Sequence, residues 1–135
     1  RARALHRDES LARLEARPGS PSWVMETASM AHADNLMGLE IVLPDGSRGW
    51  LVYQELRLRQ LPLGISRLAL RAEHGEAVRV AEALLAHLYH QYPDLDTHTE
   101  NIPADDPHLP AFFAMGYVES FRRIEMHRPG PRSLT

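Results

Sequence analysis

Apolar residues along this chain recur at two periods, and the places where the period changes divide it into elements. The clearest helix covers residues 76–92, where Val80, Ala81, Leu84, Leu85 and Leu88 form a stripe at three- and four-residue intervals. Pro93 stops it. Residues 8–17 make a second helix, with Leu11 and Leu14 three apart and Asp8 and Glu9 in the first turn, where carboxylates favour the helix dipole. The run Pro18-Gly19-Ser20-Pro21 ends that helix. Between residues 22 and 36, Trp23, Met25, Ala28 and Met30 fit either period, and part of this stretch is expected to be helical.

Strand signals fill the gaps. Residues 36–43 and 49–58 read as a hairpin around the turn Pro44-Asp45-Gly46-Ser47, and residues 65–72 alternate well enough for a further strand. Residues 95–101 set Leu95, Thr97 and Thr99 against Asp96, His98 and Glu100. Asp106 is placed to cap a short helix over residues 107–115, with Pro107 at its first position. Gly116 ends that helix, because glycine takes the left-handed conformation freely, and Tyr117 opens a strand running to His127. The order is helix, hairpin, strand, long helix, strand, short helix, strand. It predicts an α+β fold, an α/β sandwich with one mixed, mainly antiparallel central sheet and helices on both faces. Residues 1–128 are expected to form a single domain and residues 129–135 a tail. The opening residues read as helix-like, and a start at Arg1 rather than Met suggests a piece of a longer protein.

Composition narrows the function classes. With 44% hydrophobic residues in a chain of 135, a sizeable core can be buried. A net charge of −3 leaves no basic stripe, so no nucleic-acid partner is expected. No apolar run approaches the roughly 18 residues that span a bilayer, so no membrane partner is expected either. Without cysteine there is no thiolate metal site and no thiol nucleophile, a composition that fits the reducing cytoplasm. His87 and His90 stand three apart, and His98 shares the next strand with Glu100, but a third metal ligand is lacking and no metal is expected. No Gly-x-Ser-x-Gly elbow is present, which argues against a serine triad. Trp50 reads as core. Arg57, Arg59, Arg67 and Arg71 read as a solvated sheet face before an anion site.

The order of elements, and residues 65–128 in particular, resembles the GNAT superfamily of acyl-CoA-dependent N-acyltransferases. The join Ala111-Phe112-Phe113-Ala114-Met115-Gly116-Tyr117 is similar to that family's helix ending in Gly-Phe, and the stretch from Asn101 to Pro107 is similar to the second half of tandem members. The resemblance implies acyl transfer from acetyl-CoA to an amine. It places the strand edge that holds the acyl-CoA at Leu70, Arg71 and Ala72, and the pyrophosphate contacts at Ala77, Val78, Arg79, Val80 and Ala81.

The family's signature at the start of the long helix is Arg/Gln-x-x-Gly-x-Gly/Ala, whose glycines let phosphate approach bare backbone N–H groups. In this chain the Arg/Gln position is Glu76, the first glycine is Arg79 and the Gly/Ala position is Ala81, so only the last fits. The tyrosine that serves the family as general acid corresponds to Phe112, which has no proton to give, and the family's asparagine corresponds to Asp105. No glutamate lies within residues 65–72; Glu73 follows them. The expectation is a domain with acetyltransferase ancestry whose acyl-CoA signature is degraded. It either acts with acetyl-CoA in the parent protein or serves as a non-catalytic scaffold. Its partner would be an upstream acetyltransferase-like domain or a second copy.

Overall fold

Alternation along the chain resolves into seven strands: β1 (Ala2–Leu5), β2 (Leu36–Val42), β3 (Arg48–Leu58), β4 (Leu61–His74), β5 (Asp96–Thr99), β6 (Val118–Glu119) and β7 (Met126–Arg128). The computed structural model describes residues 1–17, 21–32, 34–99, 102, 105–119 and 126–128. The strands form one sheet in the order β1-β2-β3-β4-β5-β7-β6. The first four strands make three antiparallel pairs, and β4 and β5 run parallel. A parallel pair needs a crossover, which α3 (Ala77–Gln91) supplies.

The sheet is covered on both sides, as an α+β sandwich requires. On one face α3 and α4 (Leu109–Ala114) bury Val80, Ala81, Leu84, Leu85, Leu88 and Phe112 against Leu51, Tyr53, Ile65 and Leu70. On the other, α1 (Arg7–Ala16) and α2 (Pro21–Ala31) bring Leu14 and Met30 onto Trp50, Val52 and Ala69. Successive side chains of β3 therefore feed two cores, which is why its centre is buried without alternation. Gly49 allows this closeness: a Cβ there would lie 2.5 Å from the Arg71 carbonyl oxygen and 2.6 Å from a Val80 methyl.

Four boundaries differ from the sequence reading. Residues 2–5 are strand rather than helix, because β1 zips along β2 from Ala2 opposite Ile41 to Leu5 opposite Gly38. The helix begins behind His6, whose N–H donates to the Glu9 carboxylate in a capping box. Strand β4 starts at Leu61 because Arg59 and Gln60, both at positive φ (52° and 69°), make a two-residue turn without glycine. Helix α4 starts at Leu109, since Asp106 accepts from the His108 N–H at 2.8 Å and holds residues 106–108 in a turn. The expected strand from Tyr117 to His127 is two strands, with β7 inserted between β5 and β6. Of the predicted break Pro18-Gly19-Ser20-Pro21, Pro21 opens α2 and residues 18–20 lie outside the described residues, as do the end of the predicted strand 95–101 at residues 100–101 and the tail 129–135.

Candidate functional site

The fold brings the end of β4 against the start of α3, so the two groups of predicted site residues are neighbours. Between them, Gly75 turns the chain at φ +94°, and a Cβ there would lie 2.2 Å from the Ser47 hydroxyl. Its glycine is thus required by the turn and by the β2–β3 loop packed on it.

At the opening of α3 the N–H groups of Val78, Arg79 and Val80 are engaged. Glu76 is the N-cap, and its carboxylate accepts from Val78 N at 3.3 Å and from Arg79 N at 2.7 Å; Val80 N donates to the Glu76 carbonyl at 3.1 Å. The Arg79 guanidinium reaches away to Asp45. Hydrogen bonds from Ser47, followed by the Arg79 charge, hold the Asp45 carboxyl below its ordinary range. Val80 and Ala81 are wholly buried in the core, and Ala77 and Val78 are half-buried.

The strand edge is engaged at two points past a short ladder. The parallel ladder between β4 and β5 consists of Gly64 opposite Asp96 and Ile65 opposite Thr97. Past it the strands part, and side chains bond two of the backbone groups that the ladder releases. Thr99 Oγ1 donates to the Leu68 carbonyl at 2.7 Å, and Ala72 N donates to His108 Nε2 at 3.0 Å. A ring nitrogen that accepts from an N–H carries no proton, so His108 is the Nδ1–H tautomer and donates to Asp106 Oδ1 at 2.8 Å. Burial pushes the Asp106 carboxyl up, but the bonds from the His108 ring and main chain outweigh it, and its pKa lies below the ordinary value. The space left in the splay, lined by Leu68, Leu70, Thr99, His108 and Phe112, measures about 20 Å³. That is room for one water, against several hundred Å³ for an organic ligand.

Arg71 points to the opposite side, into a cavity of about 150 Å³ with Arg13, Arg17, Trp50 and Glu73. The arginines read as one sheet face are dispersed: Arg57 pairs with Glu55, Arg59 sits in the β3–β4 turn, and Arg67 occupies a bulge at φ 50°. Arg17 crosses to α2, where it meets Glu26 at 3.1 Å with both side chains more than nine-tenths buried. A mainly aliphatic cleft of about 450 Å³ lies between α1 and α2, on the far side of the sheet from α3.

Phe112 is buried edge-on to Tyr117, with ring centroids 5.1 Å apart, whereas Phe113 is exposed rather than part of the core. Asp105 is exposed. Sequence reasoning missed His108, Glu55 and Tyr92. The turn Asp106-Pro107-His108 carried a signal for the first. Nothing local marked the other two, because Tyr92 caps α3 and donates to the buried Glu55 carboxylate across 37 residues of chain. Among the described residues no three His, Asp or Glu side chains come together as a metal site, and no helix is long and apolar enough to cross a membrane.

No family model and no curated protein matches the chain. Among solved structures it is similar to the GNAT domain of S. lividans PAT, with a TM-score of 0.55 and 16% identity over 93% of this chain and 86% of that one. The likeness shows that this chain, with its parallel β4–β5 pair and crossover helix, has a GNAT-like fold.

Proposed function

We propose that this chain is a single GNAT-fold domain that holds no acyl-CoA at the β4–α3 junction and works as a non-catalytic scaffold for a partner. One observation carries the reading: the Glu76 carboxylate sits on the Val78 and Arg79 N–H groups, the donors a pyrophosphate would need. An anion arriving there meets a like charge on donors already in use. The residues present do not fit the cofactor. His108 on Ala72 N and the 20 Å³ splay support the same conclusion for the acyl arm. Isothermal titration of the chain with acetyl-CoA is expected to give no saturable heat. A dissociation constant tighter than about 10 μM, roughly −7 kcal/mol, would overturn the reading.

The parting of β4 from β5 favours a second reading, in which this chain itself transfers an acyl group from acetyl-CoA to an amine. That reading requires the Glu76 carboxylate and the His108 ring to swing out together. Its mark would be amine-dependent release of free CoA thiol, lost on blocking the splay with Thr99→Leu.

A further inference from the structure

A row of side chains crosses the sheet on the face that α1 and α2 cover. Glu40 of β2 lies opposite Trp50 of β3, and Trp50 lies opposite Arg71 of β4, so the pleat turns all three to one side. The end of α1 passes over this row, with Arg13 and Arg17 spaced by one helical turn. Between helix and sheet remains the cavity of about 150 Å³ bordered by Arg13, Arg17, Trp50, Arg71 and Glu73. Among the described residues, its wall carries three guanidiniums against one carboxylate, and that carboxylate, Glu73, is exposed to water. Like charges gathered round one space repel unless a counter-charge joins them.

The nearby carboxylates are engaged elsewhere. Glu40 accepts from Arg13 Nη2 at 2.9 Å but also faces Arg3 at 3.6 Å, and Glu26 meets Arg17 Nη2 at 3.1 Å. Asp106, which feels the Arg71 charge, already accepts from the His108 ring and main chain. Arg13 Nε is buried with no hydrogen-bond partner, a donor that costs stability until an acceptor reaches it. Burial lowers the Arg17 guanidinium below its ordinary pKa; Glu26 opposes this, and the Arg71 charge adds to it. We propose that this cavity is a binding site for a small oxyanion, a carboxylate or phosphate with two negative charges, held by the guanidiniums of Arg13, Arg17 and Arg71. Planar guanidinium forks match the paired oxygens of both groups. Arg13 is a quarter exposed and Arg71 half-buried, so the anion reaches them from solvent. Size limits the ligand: the cavity equals about five waters at liquid density, against at least ~300 Å³ for a drug-sized molecule. That suits phosphate or a short dicarboxylate and is too little to enclose a nucleotide. The site lies across the sheet from the β4–α3 junction and goes beyond the scaffold reading without resting on it.

Isothermal titration of the 135-residue chain with succinate and, separately, with inorganic phosphate tests this, at low ionic strength because salt screens ion pairs. At least one probe should saturate with a Kd below about 1 mM. A tighter succinate assigns a dicarboxylic acid, and a tighter phosphate assigns a phosphate group. Arg71→Gln and Arg13→Gln should each weaken binding at least tenfold. Arg59→Gln, which removes the same charge at the β3–β4 turn, should leave it unchanged. With Trp23→Phe the remaining tryptophan is Trp50, and its emission should change along the same saturation curve. If Arg71→Gln loses its fold, Arg71→Lys keeps the charge, loses the fork and should still weaken binding. Two probes that both fail to saturate below that limit overturn the proposal. So does a folded Arg71→Gln chain that binds like the wild type, and so does equal weakening by Arg59→Gln, the mark of attraction to net charge alone. The acetyl-CoA titration stays separate, since heat that survives Arg71→Gln belongs to the junction on the other face.

Discussion

The Glu76 carboxylate caps α3 by accepting from the Val78 and Arg79 N–H groups, the donors on which the proposed loss of acyl-CoA binding rests. A cap that accepts from two main-chain donors stabilises a helix by about 1 kcal/mol, within a range of roughly 0.5–2. Glu76→Ala should therefore lower the free energy of unfolding by about that much in a urea melt, because Val78 and Arg79 then turn to water. An unchanged midpoint would show that the cap contributes nothing. The sequence reading singled out Glu76 only as a departure from the signature of the family it resembles; that its side chain caps the helix was not foreseen. Nor was the acceptor on Ala72 N. His108 lies 36 residues further on, and only the return of the chain after β5 sets its ring against β4. Tyr92 and Glu55 were hidden in the same way. The buried Arg17–Glu26 pair was hidden less by distance than by its setting, since only the docking of α2 on α1 takes both charges out of water.

At the scale of elements, the join after α4 tests how firmly a local signal fixes structure. Tyr117 N donates to the Phe112 carbonyl and Gly116 N to the Phe113 carbonyl, at 3.0 and 3.1 Å, with Gly116 at φ +91°. This is a Schellman ending, and it sets Tyr117 into the core against Phe112. Any side chain at Gly116 must take the left-handed conformation, at about 1–2 kcal/mol. Gly116→Ala should be destabilised by that amount and Gly116→Asn by less, since asparagine tolerates this conformation; equal stability of the three would refute the account. Elements with such signals were readable in advance: α3 from its stripe, the β2–β3 hairpin from Pro44-Asp45-Gly46, and α4 from Gly116. Elements created by pairing were not. Strand β1 exists because β2 lies beside it, and nothing in Ala2-Arg3-Ala4-Leu5 alternates. The Arg59-Gln60 turn lacks the glycine or asparagine that advertises positive φ, so the start of β4 went unseen.

Across the whole molecule, the ionisable groups frame a pH window for the fold. Hydrogen bonding to Arg3 and to the His6 main chain lowers Glu9 from 4.5 to about 2, and Asp45 and Asp106 also titrate below their ordinary value. A carboxyl with a depressed folded-state pKa adds stability that is complete above its unfolded value and lost as pH falls through the folded one. These three groups tie β1 to α1, the β2–β3 turn to α3, and residues 106–108 to each other. Acid therefore loosens several parts of the fold in the same interval. The alkaline edge has the opposite sign. Burial, then the bond to Glu55 and contact with Tyr53, raise the Tyr92 hydroxyl far above its ordinary value, and burial raises Tyr53 as well. A phenol whose folded-state pKa is raised adds stability that is present below its unfolded value, near 10, and lost above it. The urea midpoint should hold level from about pH 5 to 9, fall between about 4.5 and 2, and fall again above about 10. Glu9→Gln should shrink the acid step alone, and Tyr92→Phe the alkaline step alone. A midpoint that fell equally in both variants at both edges would show that net charge, and not these bonds, sets the window.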